Sequence, residues 1–599
     1  MDKKNSRQPL KRSRPTYVDG IIQPRLGHRP ETAPPDRTSP STAAPEQLDN
    51  QPASHPELSV PQPKSLLNTT IPGASSSSRP PQPLAGAPKT KSRFWQFWRR
   101  AKKWSLKRKI VTAICILLIA AVGFAGWDVW QLDHKLNHLA VGNLTTSVGG
   151  AENILVAGST NRCNLKVQNA QWGFCSQGVT GVNSDIIFIV HVVPSTHTVS
   201  LLSIPRDTFV PNARSGDQAF KIDAALYEGP TQLVNAIQQD FAIPIQHYAE
   251  VGFDGFVNIV NAVGGIKMNF PMPVYDSESY LDIKTPGCQL LNGVEALQVV
   301  RARHLQYDPP DIKTSDVYLW PQEAVSDIAR IARTHEFLRV LASTVDAKGL
   351  GNPITDQKLV DAIAPQVQVD SGLSTSSMLQ LMEDLHAVSI NNVPQYTLPI
   401  STPDFGDYIY NGVDYGDVVF PTEASDQHVI NEFLGVKNTD DTMTGKSLPT
   451  PSSVSVNVID GSGTSGEASQ VMSSLSDLGF NVLGEPGAAS PLSYKANETV
   501  VNYASPSTEA DAEAVARQMT GSVILSENSN LVTAGSDVTI LTGNGLTVNT
   551  PPTASSSSTA SSPTPSSTTV TTMATTGLSP ASSATQALSA WDPRACTEQ

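Results

Sequence analysis

The chain has 599 residues, 39% of them hydrophobic and 16% charged, so it is long enough for two or three domains with cores of their own. Its net charge of −13 is unevenly spread: residues 1–109 hold 21 Lys+Arg against 7 Asp+Glu, and the rest hold 21 against 48. That split points to two sides of a membrane or a basic tail on an acidic body, and argues against a soluble nucleic-acid regulator.

Residues 1–108 are rich in Pro, Ser, Arg and Gln and lack apolar periodicity, so they are expected to stay disordered. The basic stretch 91–109 interleaves Phe94, Trp95, Phe97, Trp98 and Trp104. Aromatic and basic residues in that mixture suit the headgroup layer of a membrane better than a nucleic acid. The run "IVTAICILLIAAVGFAGW" (110–127) has no charge and just spans a bilayer core. A transmembrane helix is therefore predicted over 109–128, with the N-terminus in the cytoplasm and the acidic remainder outside. A cleaved signal peptide fits poorly, because the leader would be far too long.

Cys115 falls in that span, and Cys163 and Cys175 lie in a polar stretch beyond it, where disulfides persist. Those two are expected to be bridged, whereas Cys288 and Cys596 have no obvious partner. No C-x-x-C occurs and the 11 His are scattered, which argues against zinc.

Residues 150–400 alternate strand-like and helix-like runs, the pattern of an α/β domain. Strands are predicted at 153–157, 186–193, 198–204 and 266–270, with a tight turn at 194–197. Helices are predicted at 231–242, from Phe253 to Val263, and from a capping box at Asn292 and Glu295 to about Val300. A long helix is expected over roughly 321–346, opened by Pro321. Its inward stripe reads as Ile328, Ile331, His335, Leu338 and Val345, with Arg330, Arg333 and Phe337 on another face. Residues 402–450 read as a partly structured linker. A β-α-β-α-β pattern over 452–546 predicts a small α/β or α+β domain, and 547–599 form a Ser/Thr/Pro-rich tail.

The stretch "TVSLLSIPRDTFVP" (198–211) is a strand that ends in a charged pair between prolines. If the strands flanking 194–197 pair as a hairpin centred on that turn, opposed residue numbers sum to 391, and Asp185 faces Arg206. Charges at the open end of a sheet sit where α/β domains bind ligands. Arg162 follows the first strand, Arg301 and Arg303 end a helix, and Arg330 and Arg333 lie near Asp327 on the long helix. Only 10 Arg follow residue 128, and six of them fall in these places. Guanidinium forks bind phosphate oxygens two at a time, so the cluster reads as a polyphosphate site.

The segments "ENILVAGSTNR", "NSDIIFIVHVVPSTHTVSLLSIPRDTFVP", "KIDAAL", "GFDGFVNIVNAVGGI", "LNGVEALQVVRARH" and "SDIARIARTHEFL" follow one another as in the LytR-CpsA-Psr family, which the chain resembles over about 150–345. Residues 452–546 resemble the LytR C-terminal domain, and the cysteine-bearing insert resembles an actinobacterial branch. The resemblance implies an α/β/α catalytic sandwich on one transmembrane helix. It implies a phosphotransferase that moves a glycopolymer from a polyprenyl-pyrophosphate carrier onto a cell-wall polysaccharide, with Mg²⁺ as cofactor. It assigns pyrophosphate contacts to Arg206, Arg301, Arg303, Arg330, Arg333 and Lys221, and a metal-ligand role to Asp185. Thr160 stands where the family commonly has a second metal-ligand Asp, and Asn183 where it commonly has Arg. Asp207 either orients Arg206 or takes over the missing metal contact. Asp327 is the candidate base for the acceptor hydroxyl. A non-catalytic envelope-binding protein and a lipid-pyrophosphate phosphatase are the competing readings.

Overall fold

The computed structural model describes residues 136–596, apart from 148, 164, 166–171, 311–313, 324–326, 348–360, 375–376, 379–392, 403–406, 423–424, 485–494 and 550–587. The predicted cytoplasmic tail, the predicted span and most of the C-terminal tail lie outside the described residues. Among those described, no helix is long and apolar enough to cross a membrane.

The first domain is built on strands β1 (Asn137–Leu139), β2 (Glu152–Ser159), β3 (Ser184–Val193) and β4 (Thr198–Ser203). A short hairpin follows, β5 (Phe209–Arg214) and β6 (Gln218–Lys221), and leads to helix α1 (Pro230–Phe241). Next come β7 (His247–Gly252), α2 (Phe253–Ala262), β8 (Ile266–Phe270), β9 (Gly287–Leu291), α3 (Gly293–Arg301) and α4 (Asp327–Ala347). Strands β10 (Gln368–Asp370) and β11 (Gln395–Thr397) and helix α5 (Ser425–Leu434) complete it.

The main sheet has seven strands in the order β1-β10-β7-β2-β3-β4-β11, mixed in direction. Side chains alternate across it, as a pleated strand requires. Leu155, Ile189 and Leu202 face a core closed by Leu233 and Ile237 of α1 and by Val429, Ile430 and Phe433 of α5. Ile154, Val192, Val199 and Val369 face the other side. The first core thus reaches past residue 400, into the stretch read from sequence as linker.

A satellite layer holds α2, α3, β8, β9 and part of α4 around Val260, Phe270, Val300 and Phe337. Both halves of the predicted capping box are present at α3: Asn292 accepts from the N–H groups of Val294 and Glu295, and Glu295 accepts from the Asn292 N–H.

Two expectations for α4 need correction. Its described residues begin at Asp327, and Pro321 does not open it: Gln322 bridges Gln306 and the Glu323 N–H donates to the Leu305 carbonyl at 2.9 Å, which holds 321–323 extended. Its buried residues also lie on more than one side. His335 bonds Ser203 of the main sheet at 2.7 Å, while Phe337 enters the satellite core. Packed on two sides, the helix buries Arg330, Arg333 and Phe337, the face expected to lie away from the core.

The second domain holds β12 (Ser455–Ile459), α6 (Glu467–Asp477), β13 (Asn481–Leu483), β14 (Thr499–Tyr503), α7 (Glu509–Ala516), β15 (Val523–Glu527) and β16 (Val538–Leu541). Its sheet runs β13-β12-β16-β14-β15, so two parallel strands, β13 and β15, add to the three read from sequence. Ala468, Val471 and Leu475 of α6 lie in its core. This domain docks on α1. The Tyr503 hydroxyl donates to the Gln239 carbonyl at 3.1 Å, the Asn212 amide reaches Ser526 at 3.3 Å, and Ile524 enters the first core.

The chain then returns to the first domain. Strand β17 (Arg594–Ala595) pairs antiparallel with β8, and Cys596 is bonded to Cys288 of β9. Neither cysteine has a partner that could be read from its local sequence. Trp591 stacks on Tyr307 with ring centroids 4.0 Å apart.

Candidate anion-binding cleft

The hairpin of β3 and β4 has the register that its turn dictates, from Val193 opposite Thr198 to Phe188 opposite Ser203. One further bond joins the Ile204 N–H to the Ile187 carbonyl at 3.0 Å. Pro205 has no N–H to donate, so the ladder stops there. The next N–H, that of Arg206, turns out of the sheet to Asp327 at 3.1 Å. The Arg206 guanidinium meets Asp185, and the two charges close the open end of the hairpin.

Asp207 points into a second group of cations. Its Oδ1 takes Lys221 at 3.2 Å and its Oδ2 takes Arg303 at 2.7 Å, with Arg206 3.7 Å away. Lys221 comes into range because it pairs with Phe209 across the β5–β6 hairpin. Burial pushes the Asp207 carboxyl up, but Arg206, Lys221 and Arg303 outweigh it and hold it well below the usual carboxylate range. Both of its oxygens are taken. Asp207 therefore anchors Lys221 and Arg303 and stands beside Arg206.

Asp327 is similarly committed. One oxygen accepts the Arg206 N–H, and the other accepts Arg330 Nε at 2.7 Å and pairs with its Nη2 at 2.6 Å. A carboxylate engaged on both oxygens organises arginines.

Arg162 and Arg301 stand over the ring of Phe253, at 5.6 and 4.9 Å from its centroid. Arg162 also donates to the carbonyls of Thr160, at 3.3 Å, and Trp172. Trp172 lies in the loop that the Cys163–Cys175 disulfide closes, and it packs against Phe253 at 5.6 Å. Burial pushes the Asp185 carboxyl up, yet Arg206, Arg330, Arg301 and Arg162 together hold it below its ordinary value.

Arg333 does not join this group. It is fully buried, forks onto Glu323 at 2.8 Å on both sides, pairs with Asp592 at 2.9 Å and donates to the Ala302 carbonyl at 2.6 Å. Its expected pyrophosphate contact is corrected: the group is sealed from solvent, and both Nη atoms bond within the protein. His304 turns toward Glu278, 3.3 Å away.

Sequence reasoning missed Asp223. It is buried next to Lys221, and its N–H donates to the Arg206 carbonyl at 3.2 Å. Its Oδ2 accepts from the Asn183 amide at 3.3 Å. Burial pushes its carboxyl up, Arg206 pulls it down and Asp207 pushes it up again, leaving it at about 7. The signal lay in "KID", where an acid sits two residues from a predicted phosphate-binding lysine. Phe253 was read only as a core position.

For a divalent metal, the cleft offers Asp185, whose Oδ1 pairs with Arg206. Thr160 supplies no carboxylate, and its hydroxyl accepts the Asn183 N–H at 2.9 Å. One carboxylate with phosphate oxygens and water is a donor set that Mg²⁺ accepts. Among the described residues, the group of three carboxylates close enough to share an ion is elsewhere, at Asp441, Glu509 and Glu513.

The sequence model of the LytR_cpsA_psr family matches residues 131–421, and that of the LytR cell envelope-related transcriptional attenuator matches 453–546. The probable cell wall biosynthesis protein LcpB of Corynebacterium glutamicum is 30% identical over 332 residues, covering 54% of this chain and 72% of that protein. The chain belongs to the LytR-CpsA-Psr family. Cell wall biosynthesis protein LcpA of the same organism is 26% identical over 434 residues, 65% of this chain and 78% of that one. The polyisoprenyl-teichoic acid–peptidoglycan teichoic acid transferase TagV of Bacillus subtilis is 29% identical over 208 residues, 33% of this chain and 51% of that one. Every residue of the cleft lies within the segment matched by the LytR-CpsA-Psr model.

Proposed function

We propose that this protein is a phosphotransferase that moves a glycopolymer from a polyprenyl-pyrophosphate carrier onto a cell-wall polysaccharide. The observation that carries the reading is the convergence of Arg162, Arg206, Arg301, Arg303, Arg330 and Lys221 around Asp185, Asp207, Asp223 and Asp327. Cations outnumber carboxylates there, and the surplus suits an anion with several oxygens. The relatives' names, which speak of cell wall biosynthesis and of teichoic acid transfer to peptidoglycan, support the same reading.

In this reading the arginines hold the pyrophosphate. An acceptor hydroxyl attacks the phosphorus on the sugar side, the bond from that phosphorus to the bridging oxygen breaks, and polyprenyl phosphate leaves with the bond pair. Fixed guanidinium groups stabilise charge as it spreads over the phosphoryl oxygens. Ionised Asp223 takes the proton of the hydroxyl, because burial has tuned it close to neutral pH. Mg²⁺ held at Asp185 would neutralise part of the pyrophosphate charge. The apolar run 110–127 would keep the domain beside its lipid, with the N-terminus inside and the cleft outside.

The test incubates the purified full-length chain with a lipid-pyrophosphate-linked glycan, a wall acceptor and Mg²⁺. Polymer transfer is expected, and it should be lost in Arg206→Ala and Arg303→Ala. Binding of several donors without transfer would instead identify an envelope-binding protein. Release of glycan phosphate to water alone would identify a phosphatase.

A further inference from the structure

The turn that presents Arg301 and Arg303 is supported from an unexpected place. Between the two arginines lies the Ala302 carbonyl, which accepts from Arg333 Nη2 at 2.6 Å. The other partners of the Arg333 guanidinium are Glu323 and Asp592. Asp592 stands 259 residues along the chain, beyond the second domain.

Asp592 does not arrive alone. The Ser589 N–H donates to its Oδ2 at 2.7 Å, Trp591 lies flat on Tyr307 with a 4° interplanar angle, and the Ala595 N–H donates to Glu336 of α4. Strand β17 extends the β8–β9 sheet, and Cys596 is joined to Cys288. Asp592 and Arg333 are both essentially inaccessible to solvent. A buried guanidinium needs its carboxylates, and removing one partner leaves charge uncompensated.

We propose that Asp592 is a positioning residue for the anion cleft: acting through Arg333 and the Ala302 carbonyl, it sets the angle at which Arg301 and Arg303 meet the pyrophosphate. The C-terminal segment is then a functional part of the first domain, although neither family model covers it. The same anchoring brings the α3 C-terminus and α4 into one rigid frame. Arg303 is fixed in addition by its own N–H, which donates to Asp276 at 2.9 Å, so the turn is held from two sides.

The proposal rests on the cleft being a pyrophosphate site, and the two are separable by binding inorganic pyrophosphate to the full-length chain in titration calorimetry. Asp592→Asn is expected to weaken that binding by about 10-fold, the effect of losing one charged hydrogen bond. A double-mutant cycle tells positioning from general damage. Asp592→Asn should be non-additive with Arg303→Ala, whose guanidinium the strap orients, and additive with Arg162→Ala across the Phe253 ring. Should Asp592→Asn not fold, Arg333→Lys carries the same cycle, because it keeps the charge and loses both the fork onto Glu323 and the bond to the Ala302 carbonyl. No pyrophosphate binding by the unmodified chain would defeat the reading of the cleft. Binding by the unmodified chain that Asp592→Asn or Arg333→Lys leaves unchanged, or that is additive with Arg303→Ala, would overturn the positioning role.

Discussion

Arg206 is held by two aspartates at once: Asp327 accepts its backbone N–H at 3.1 Å, and Asp185 pairs with its guanidinium. Neither bond repeats the work of the other, since one fixes the chain and the other fixes the fork. Burial works against the guanidinium charge, but Asp185, Asp207, Asp223 and Asp327 all favour it and keep the group protonated. Arg206→Lys should therefore fold normally and lose about 10²–10³-fold in transfer rate, because an ammonium cannot span two oxygens. Circular dichroism of the variant beside its rate is the check. A rate within a few-fold of the unmodified protein would remove Arg206 from the mechanism.

Asp207 should matter for binding and for acid stability. It holds Lys221 and Arg303 on separate oxygens, so Asp207→Asn frees both cations and raises the donor KM more than it lowers kcat. Its carboxyl is held below the ordinary value, so its stabilisation is present above that value and fades as pH falls through the folded one. Urea midpoints taken between pH 7 and pH 3 should fall less steeply in Asp207→Asn than in the unmodified chain.

Asp223, as the proposed base, should set the pH dependence of transfer. Its carboxyl sits at about 7, so it is largely protonated at pH 6 and ionised at pH 8. A base must be ionised, and the rate should rise through neutrality and level off above it. Asp223→Asn should lower the rate and abolish that inflection. An unchanged inflection near pH 7 in the variant would assign it to another group.

The seam between the two domains should weaken in alkali. Burial pushes Asp426 of α5 up to about 7, and burial with the nearby Asp441 leaves Glu513 of α7 at about 7 despite Arg517. A raised carboxyl stabilises the fold below its ordinary value, and that contribution is lost as pH climbs through the folded value. Thermal midpoints should drop between pH 5 and pH 8, and Asp426→Asn should flatten the slope. A midpoint independent of pH across that window would rule out protonated carboxyls at these positions.

How much of this was legible in the sequence depended on distance along the chain. The β3–β4 hairpin was readable to the residue, because a short turn fixes register and Pro205 marks its end. The α3 cap was readable because its donors and acceptors lie three residues apart. The burial of α4 was not, since period alone gives one apolar stripe and Arg333 is buried through partners 10 and 259 residues away. Asp223 escaped for a related reason. Its importance comes from the cations that folding places around it, and its one local cue is that it stands two residues after Lys221 in "KIDAAL". The Cys288–Cys596 pairing, 308 residues apart, has no local signal at all.

The docking of the second sheet onto α1 has a consequence for reach. Tyr503, Ser526 and Ile524 join that sheet to the first domain by hydrogen bonds and a shared core, and the Thr442 hydroxyl adds a bond to the Ala242 carbonyl at 2.6 Å. A domain on a loose tether would sample a sphere around the arginines. This one is joined to α1 at several points, so its surface faces the arginines at a set offset.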